Sequence, residues 1–144
     1  MKVLFDTSVI VAAMVKDHPR HSESLPWLQR VQAEEIEGFI AIHTLAEVYA
    51  VITRLSCTPA ISPELAPWLI IENLNGFHTV VLTAEDYQGT IARMMSVNLS
   101  GENIYDGLIA VAAIKAGVDV LLTLNPDDFM QMGEDVAPLV KAPG

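Results

Sequence analysis

Cysteine is all but missing from this 144-residue chain, where Cys57 stands alone. A single thiol excludes an internal disulfide, and no Cys/His spacing marks a structural zinc site. A reducing cytoplasm is the expected setting. Long apolar runs are missing too. Nothing approaches the roughly 20 residues that cross a bilayer, and the opening MKVLFDTS reaches an acid after three apolar residues, which fits neither a signal peptide nor a membrane span. Basic residues are scarce: eight Lys and Arg stand against 18 Asp and Glu, for a formal net charge of -10. The cations are scattered singly, with no run that would mark a nonspecific polyanion-binding surface. Because phosphate binding is driven mainly by Lys and Arg, any contact with nucleic acid has to come from bound metal, a few convergent cations or a partner chain. Repeats, linkers and low-complexity segments are absent as well. Residues 1–144 therefore read as one domain, near the common size of roughly 100 to 150 residues.

What is present is apolar. Hydrophobic residues make up 51% of the chain, enough to bury a core and well outside the low-hydrophobicity regime of disorder. Val3-Leu4-Phe5 is a short strand that stops at Asp6, after which Thr7 or Ser8 is positioned to cap a helix through Val15. A second helix is expected over about 22–35, with Pro26 confined to its first turn. Gly38 to Ile42 reads as a buried strand, and Thr44-Leu45-Ala46-Glu47 has the pattern of a capping box opening a helix to about Leu55. Ser62-Pro63-Glu64 predicts a further helix to about Leu74, bent at Pro67 and paired with the preceding helix in a protruding hairpin. Phe77 to Leu82 is strand-like, and Thr83-Ala84-Glu85-Asp86 caps a helix to about Val97. Ser100 caps a helix over 101–116 ended by Gly117, Val118 to Thr123 is a strand, and a short edge strand falls near Val136 to Val140. Strands alternating with helices imply right-handed parallel βαβ units, hence an α/β doubly wound, three-layer parallel sheet with helices on both faces.

In such a sheet, ligands bind beyond the carboxyl ends of the strands. Asp6 and Asn125 sit at such ends, although Asp6 is equally well explained as a capping or turn residue. A capping box accounts for Glu47 without any ligand. Asp106 is different: it lies inside a mostly apolar helix, past the cap, and its neighbours one turn away are Glu102, Asn103, Ile109 and Ala110. No Lys or Arg is spaced to pair with it along that helix. Gly107, Ala110 and Ala113 would let the helix pack closely and leave its acidic first turn at the mouth of the sheet. Hard oxygen donors brought together select Mg2+ or Mn2+ over zinc, and a divalent ion beside an open cleft suits phosphoryl transfer.

Phe5-Asp6-Thr7-Ser8, Thr44-Leu45-Ala46-Glu47, Tyr105-Asp106-Gly107-Leu108-Ile109-Ala110 and Leu122-Thr123-Leu124-Asn125-Pro126-Asp127-Asp128-Phe129 resemble, in order and spacing, the motifs of the PIN domain family, and more narrowly those of the VapC toxins. The resemblance spans residues 3 to 129. It implies a PIN-like fold and a Mg2+- or Mn2+-dependent endoribonuclease that hydrolyses RNA. Asp6, Glu47 and Asp106 would be the acids that hold metal, with Asn125 at a fourth position that is Asp or Asn in the family. Asn125 brings no charge, which weakens the case for two tightly held metals unless Asp127, Asp128 or Glu102 compensates. Thr7 or Ser8 is a candidate for a metal water or a phosphate, with capping as its other role. His43 lies one turn before Glu47, and Arg54, two turns after it, is the best placed cation for a phosphate. The resemblance also implies a homodimer, for which the helix around Arg93-Met94-Met95 offers a surface, and a cognate antitoxin whose basic segment would suit the acidic chain. A PIN nuclease of RNA processing that is not a toxin is the nearest alternative. A Mg2+-dependent receiver or phosphatase on the same fold is a poorer match, because Asp6-Thr7-Ser8 lacks a second acid and Lys115 lies within a helix.

Overall fold

The computed structural model describes residues 1–56 and 60–144, so Cys57 lies outside the described residues. Its centre is a parallel sheet of β1 (Lys2–Phe5), β2 (Glu37–Ala41), β3 (His78–Val80), β4 (Val120–Leu122) and β5 (Val140–Lys141), in the order β3-β2-β1-β4-β5. The chain moves outward from β1 to β3 on one side and then crosses to β4 on the other, so the order reverses between β1 and β4. At such a reversal the two connections leave in opposite directions and open a crevice at the carboxyl ends of the strands. Phe5 pairs with Leu122 there.

Helices cover both faces because the strand side chains alternate. Val3 and Phe5 point into one core, packed against α1 (Thr7–Met14), α2 (His21–Gln32), α3 (Thr44–Ile52) and α4 (Ala66–Asn73). Leu4 points the other way, into a core shared with α5 (Ala84–Ser96), α6 (Asn103–Ala116) and α7 (Pro126–Met130). All three of these β1 side chains are fully buried, and burial of each contributes about 1.5 to 3 kcal/mol. Among the described residues, no helix is long and apolar enough to cross a membrane.

The element boundaries depart from expectation in instructive places. Asp6, rather than Thr7 or Ser8, is the N-terminal boundary residue of α1, and no side chain caps that end. Pro26 is the sixth residue of α2, beyond the first turn, so the Ser22 carbonyl has no N–H to accept from there. Thr44 is already helical, and the box expected between Thr44 and Glu47 does not form. The Ser62 hydroxyl accepts from Leu65 N (3.1 Å), holding a turn ahead of α4; that helix begins at Ala66, with Pro67 in its first turn where it causes no bend. Ser100 caps nothing, since α6 begins at Asn103 after the left-handed Gly101. The box at Thr83 does form, with Asp86 N donating to Thr83 Oγ1 (3.2 Å) and Thr83 N to Asp86 Oδ2 (2.8 Å). Gly117 closes α6 in the left-handed region, with φ at 64°. The C-terminal edge strand is shorter than expected, after a 3-10 turn at Ala137–Leu139.

Candidate active site

Asp6 is the first residue beyond β1, at the reversal of strand order. Its N–H donates to the Leu122 carbonyl (2.9 Å), continuing the ladder to β4. The side chain is buried, and Oδ2 accepts from Ser8 Oγ (2.7 Å) and Thr123 Oγ1 (2.9 Å). The two hydroxyls are themselves fixed, since Ser8 Oγ accepts from Leu124 N (3.2 Å) and Thr123 Oγ1 from Asn125 N (3.0 Å). These charge-assisted bonds lock one carboxylate oxygen. Burial nevertheless outweighs them and raises the Asp6 pKa, and the charge of Glu47 adds to the rise.

Glu47 is the fourth residue of α3, and its Oε1 accepts from Thr7 Oγ1 (3.0 Å), which also lies 3.3 Å from the buried Thr44 Oγ1. The Thr7 hydroxyl has one proton, and the carboxylate is the stronger acceptor. Burial raises the Glu47 pKa against the lowering effect of Thr7. Asp106 is the fourth residue of α6 and half-buried; burial first, then the charges of Asp6, Asp128 and Glu47, push its pKa up to about 6. Asp128, exposed in α7, joins the electrostatic group in this way. Among the described residues, no Lys or Arg forms an ion pair with any of these four acids.

Like charges left together without a cation are what a bound cation would neutralise. The donors are all oxygen, which suits a hard divalent ion. Among the described residues no three of them stand close enough to form a ready cage. The acids couple through their charges without converging to ligand distance.

Asn125 is exposed at the N-terminal boundary of α7, and its side chain caps nothing. His43 precedes α3, with Nε2 at 3.4 Å from Glu47 Oε1. Arg54 lies beyond the end of α3, exposed, with Nε donating to the Ala50 carbonyl (3.1 Å). That bond uses one of its five N–H donors. Glu102 and Asp127 are exposed. Lys115 is engaged by Asp86 (2.6 Å) and the Val81 carbonyl (2.8 Å), so it is not turned toward Asp6 as a receiver-type site would need. Sequence reasoning missed Thr123 as a site residue. The signal was its place one residue after the last apolar position of a strand that neighbours β1.

The PIN domain family profile matches residues 3–134. The chain belongs to the PIN domain family. It is 29% identical over 109 residues to Ribonuclease VapC27 of Mycobacterium tuberculosis, across 75% of this chain and 74% of that protein. Among solved structures, this PIN domain is similar to VapBC2 of Rickettsia felis bound to a DNA fragment from its promoter (TM-score 0.68, 19% identity, full coverage of both chains). It is also similar to VapC20 of Mycobacterium tuberculosis, described as a sarcin-ricin loop cleaving toxin (TM-score 0.64, 15% identity, 83% of this chain and 86% of that one). FitAcB of Neisseria gonorrhoeae gives a TM-score of 0.64 at 20% identity, over 96% and 95% of the two chains. At these identities the structures establish the shared fold.

Proposed function

We propose that this PIN domain is a Mg2+- or Mn2+-dependent endoribonuclease of the VapC type, the toxin of a toxin–antitoxin pair. The observation that carries the reading is Asp106, whose carboxyl is pushed up to about 6 by burial and by Asp6, Asp128 and Glu47. A group of acids left in mutual repulsion on a stable fold is the arrangement expected where a metal ion binds. The kinship to Ribonuclease VapC27 and the family membership agree with it.

In this reading Asp6, Glu47 and Asp106 would draw together to hold the cation once it binds, and Asn125 would offer an amide at the rim to a ligand or substrate oxygen. Ser8 and Thr123 together hold Asp6 in place, and Thr7 supplies one hydrogen bond to Glu47. A divalent ion bound there would acidify water and offset charge on the phosphate oxygens. With a formal net charge of -10 the chain repels RNA at long range, so substrate affinity depends on that ion. The same charge favours a basic antitoxin segment. A homodimer is part of the proposal, through the exposed face of α5 formed by Tyr87, Ile91 and Met95, which are 40%, 62% and 80% exposed and spaced by single helical turns. Arg93 and Met94 do not belong to that face: Arg93 grips Asp135 (2.7 Å) and Met94 is buried.

The purified protein is expected to cleave single-stranded RNA with Mg2+ or Mn2+ and to stop in EDTA. Cleavage that persists in excess chelator removes the metal from the mechanism, and no cleavage with either ion removes the nuclease assignment.

A further inference from the structure

His43 is the boundary residue before α3, one turn ahead of Glu47. Its side chain is only 14% exposed, and both ring nitrogens are sealed from solvent with no hydrogen-bond partner. Sealed polar groups without partners are destabilising, so native proteins keep few of them and each has a reason. The reason here is in the ring's surroundings. Nε2 stands 3.4 Å from Glu47 Oε1, just short of a full bond. Burial lowers the pKa of the ring, and a hydrogen-bonding contact with the backbone of Tyr105, the residue before Asp106, which falls short of full geometry, works the other way. His43 therefore occupies the gap between α3 and the first turn of α6, the two elements that carry Glu47 and Asp106. From the α1 side, Thr7 Oγ1 already holds the same Oε1 at 3.0 Å.

We propose that His43 is a positioning residue for Glu47: a neutral imidazole whose Nε2–H donates to Oε1, so that Thr7 and His43 together hold the carboxylate toward Asp6 and Asp106. Hydrogen bonds at unliganded sites are commonly long and tighten in the working complex. A long glutamate side chain pinned by two donors from different elements retains little freedom, whereas with Thr7 alone it swings about a single bond. The effect on cleavage rests on the nuclease reading above, but the contact itself does not.

The contact is tested without metal or RNA by the nitrogen-15 shifts of the His43 ring. The proton is expected on Nε2, with a signal that moves in Glu47→Gln. A proton on Nδ1, or a ring signal indifferent to Glu47→Gln, overturns the proposal. For cleavage, His43→Leu should lower kcat roughly tenfold with KM little changed, the usual scale for a group that orients a ligand. His43→Gln, which restores a donor near the Nε2 position, should recover most of it. Wild-type cleavage by His43→Leu, or no recovery by His43→Gln, would overturn it. If the wild type cleaves no RNA, the nuclease assignment falls and the ring shifts alone decide whether His43 holds Glu47.

Discussion

At the scale of single residues the site works through competition between burial and hydrogen bonding. For Asp106 burial wins outright, and its pKa of about 6 lies above the ordinary 3.8. A carboxyl whose folded pKa is raised makes a destabilising contribution that is fully present above the folded value and fades as pH falls through it toward the unfolded value. Metal-free protein should therefore become more stable between pH 7 and pH 5, by on the order of 1 kcal/mol once solvent screening of this half-exposed group is allowed for. Asp6 and Glu47 are shifted in the same direction, whereas Asp86 and Asp135, lowered by Lys115 and Arg93, act in the opposite sense only in more acid solution. Asp106→Asn relieves the repulsion at nearly constant shape. It should melt at or above the wild-type temperature at pH 7 in EDTA, lose most of the pH dependence, and lose RNA cleavage. A mutant that is less stable without metal and still cleaves would remove Asp106 from the site. Thr123→Val keeps the shape of a buried residue but deletes the donor to Asp6 and the acceptor for Asn125 N. Leaving those groups short should cost about 1 to 3 kcal/mol by urea unfolding at unchanged slope. An unaltered midpoint would show that the bracket around Asp6 does not bear on stability.

At the scale of elements, the close approach of α2 to the sheet depends on Gly38 in β2. A Cβ there would meet both γ-methyls of Val31, at 2.7 and 2.8 Å, and the ring of Phe77 at 2.8 Å. Val31 is helical, and its branched side chain has one favoured rotamer, so it has nowhere to turn. An alanine normally strengthens a glycine position by about 0.5 to 1 kcal/mol, but overpacking of this kind costs about 1 to 3 kcal/mol, so the clash wins. Gly38→Ala should lower the melting temperature by several degrees, which differential scanning calorimetry would detect. A stabilised variant would mean that α2 moves freely on the sheet. Gly107 is the comparable contact on the other face, but there a Cβ would meet chiefly the mobile end of Met94, at 2.6 Å.

At the scale of the whole molecule, charge and topology meet. The chain carries 18 acids against eight bases, and four acids with no Lys or Arg ion pair among the described residues, Asp6, Glu47, Asp106 and Asp128, influence one another near the reversal in strand order. If a basic partner segment covers that edge, association should be steered by charge and slow markedly between low and high salt, because the Debye length falls from about 30 Å at 0.01 M to about 8 Å at 0.15 M. Stopped-flow mixing with the product of the neighbouring gene would measure it. Salt-independent association would place the partner on an apolar face instead, and no binding would remove the antitoxin assignment while leaving the nuclease standing. Light scattering at micromolar concentration tests the dimer, and a monomeric mass overturns it.

Two threonine motifs separate what the sequence determined from what folding decided. Thr83-Ala84-Glu85-Asp86 and Thr44-Leu45-Ala46-Glu47 carry the same capping pattern, and only the first forms the cap. In the second, the acid turns to Thr7, forty residues away in the chain, across a contact that exists only once α1 and α3 share a face of the sheet. Local periodicity was enough for the alternation of strands and helices, the two-faced burial of β1, the left-handed Gly117 and the set of acids at strand ends and helix starts, because these depend on neighbours within a turn or two. It could not show that Thr123 would bracket Asp6, or that Asp6, Asp128 and Glu47 would together raise the pKa of Asp106. Those outcomes depend on long-range placement and burial, which strengthen charge interactions only after the chain has closed around them.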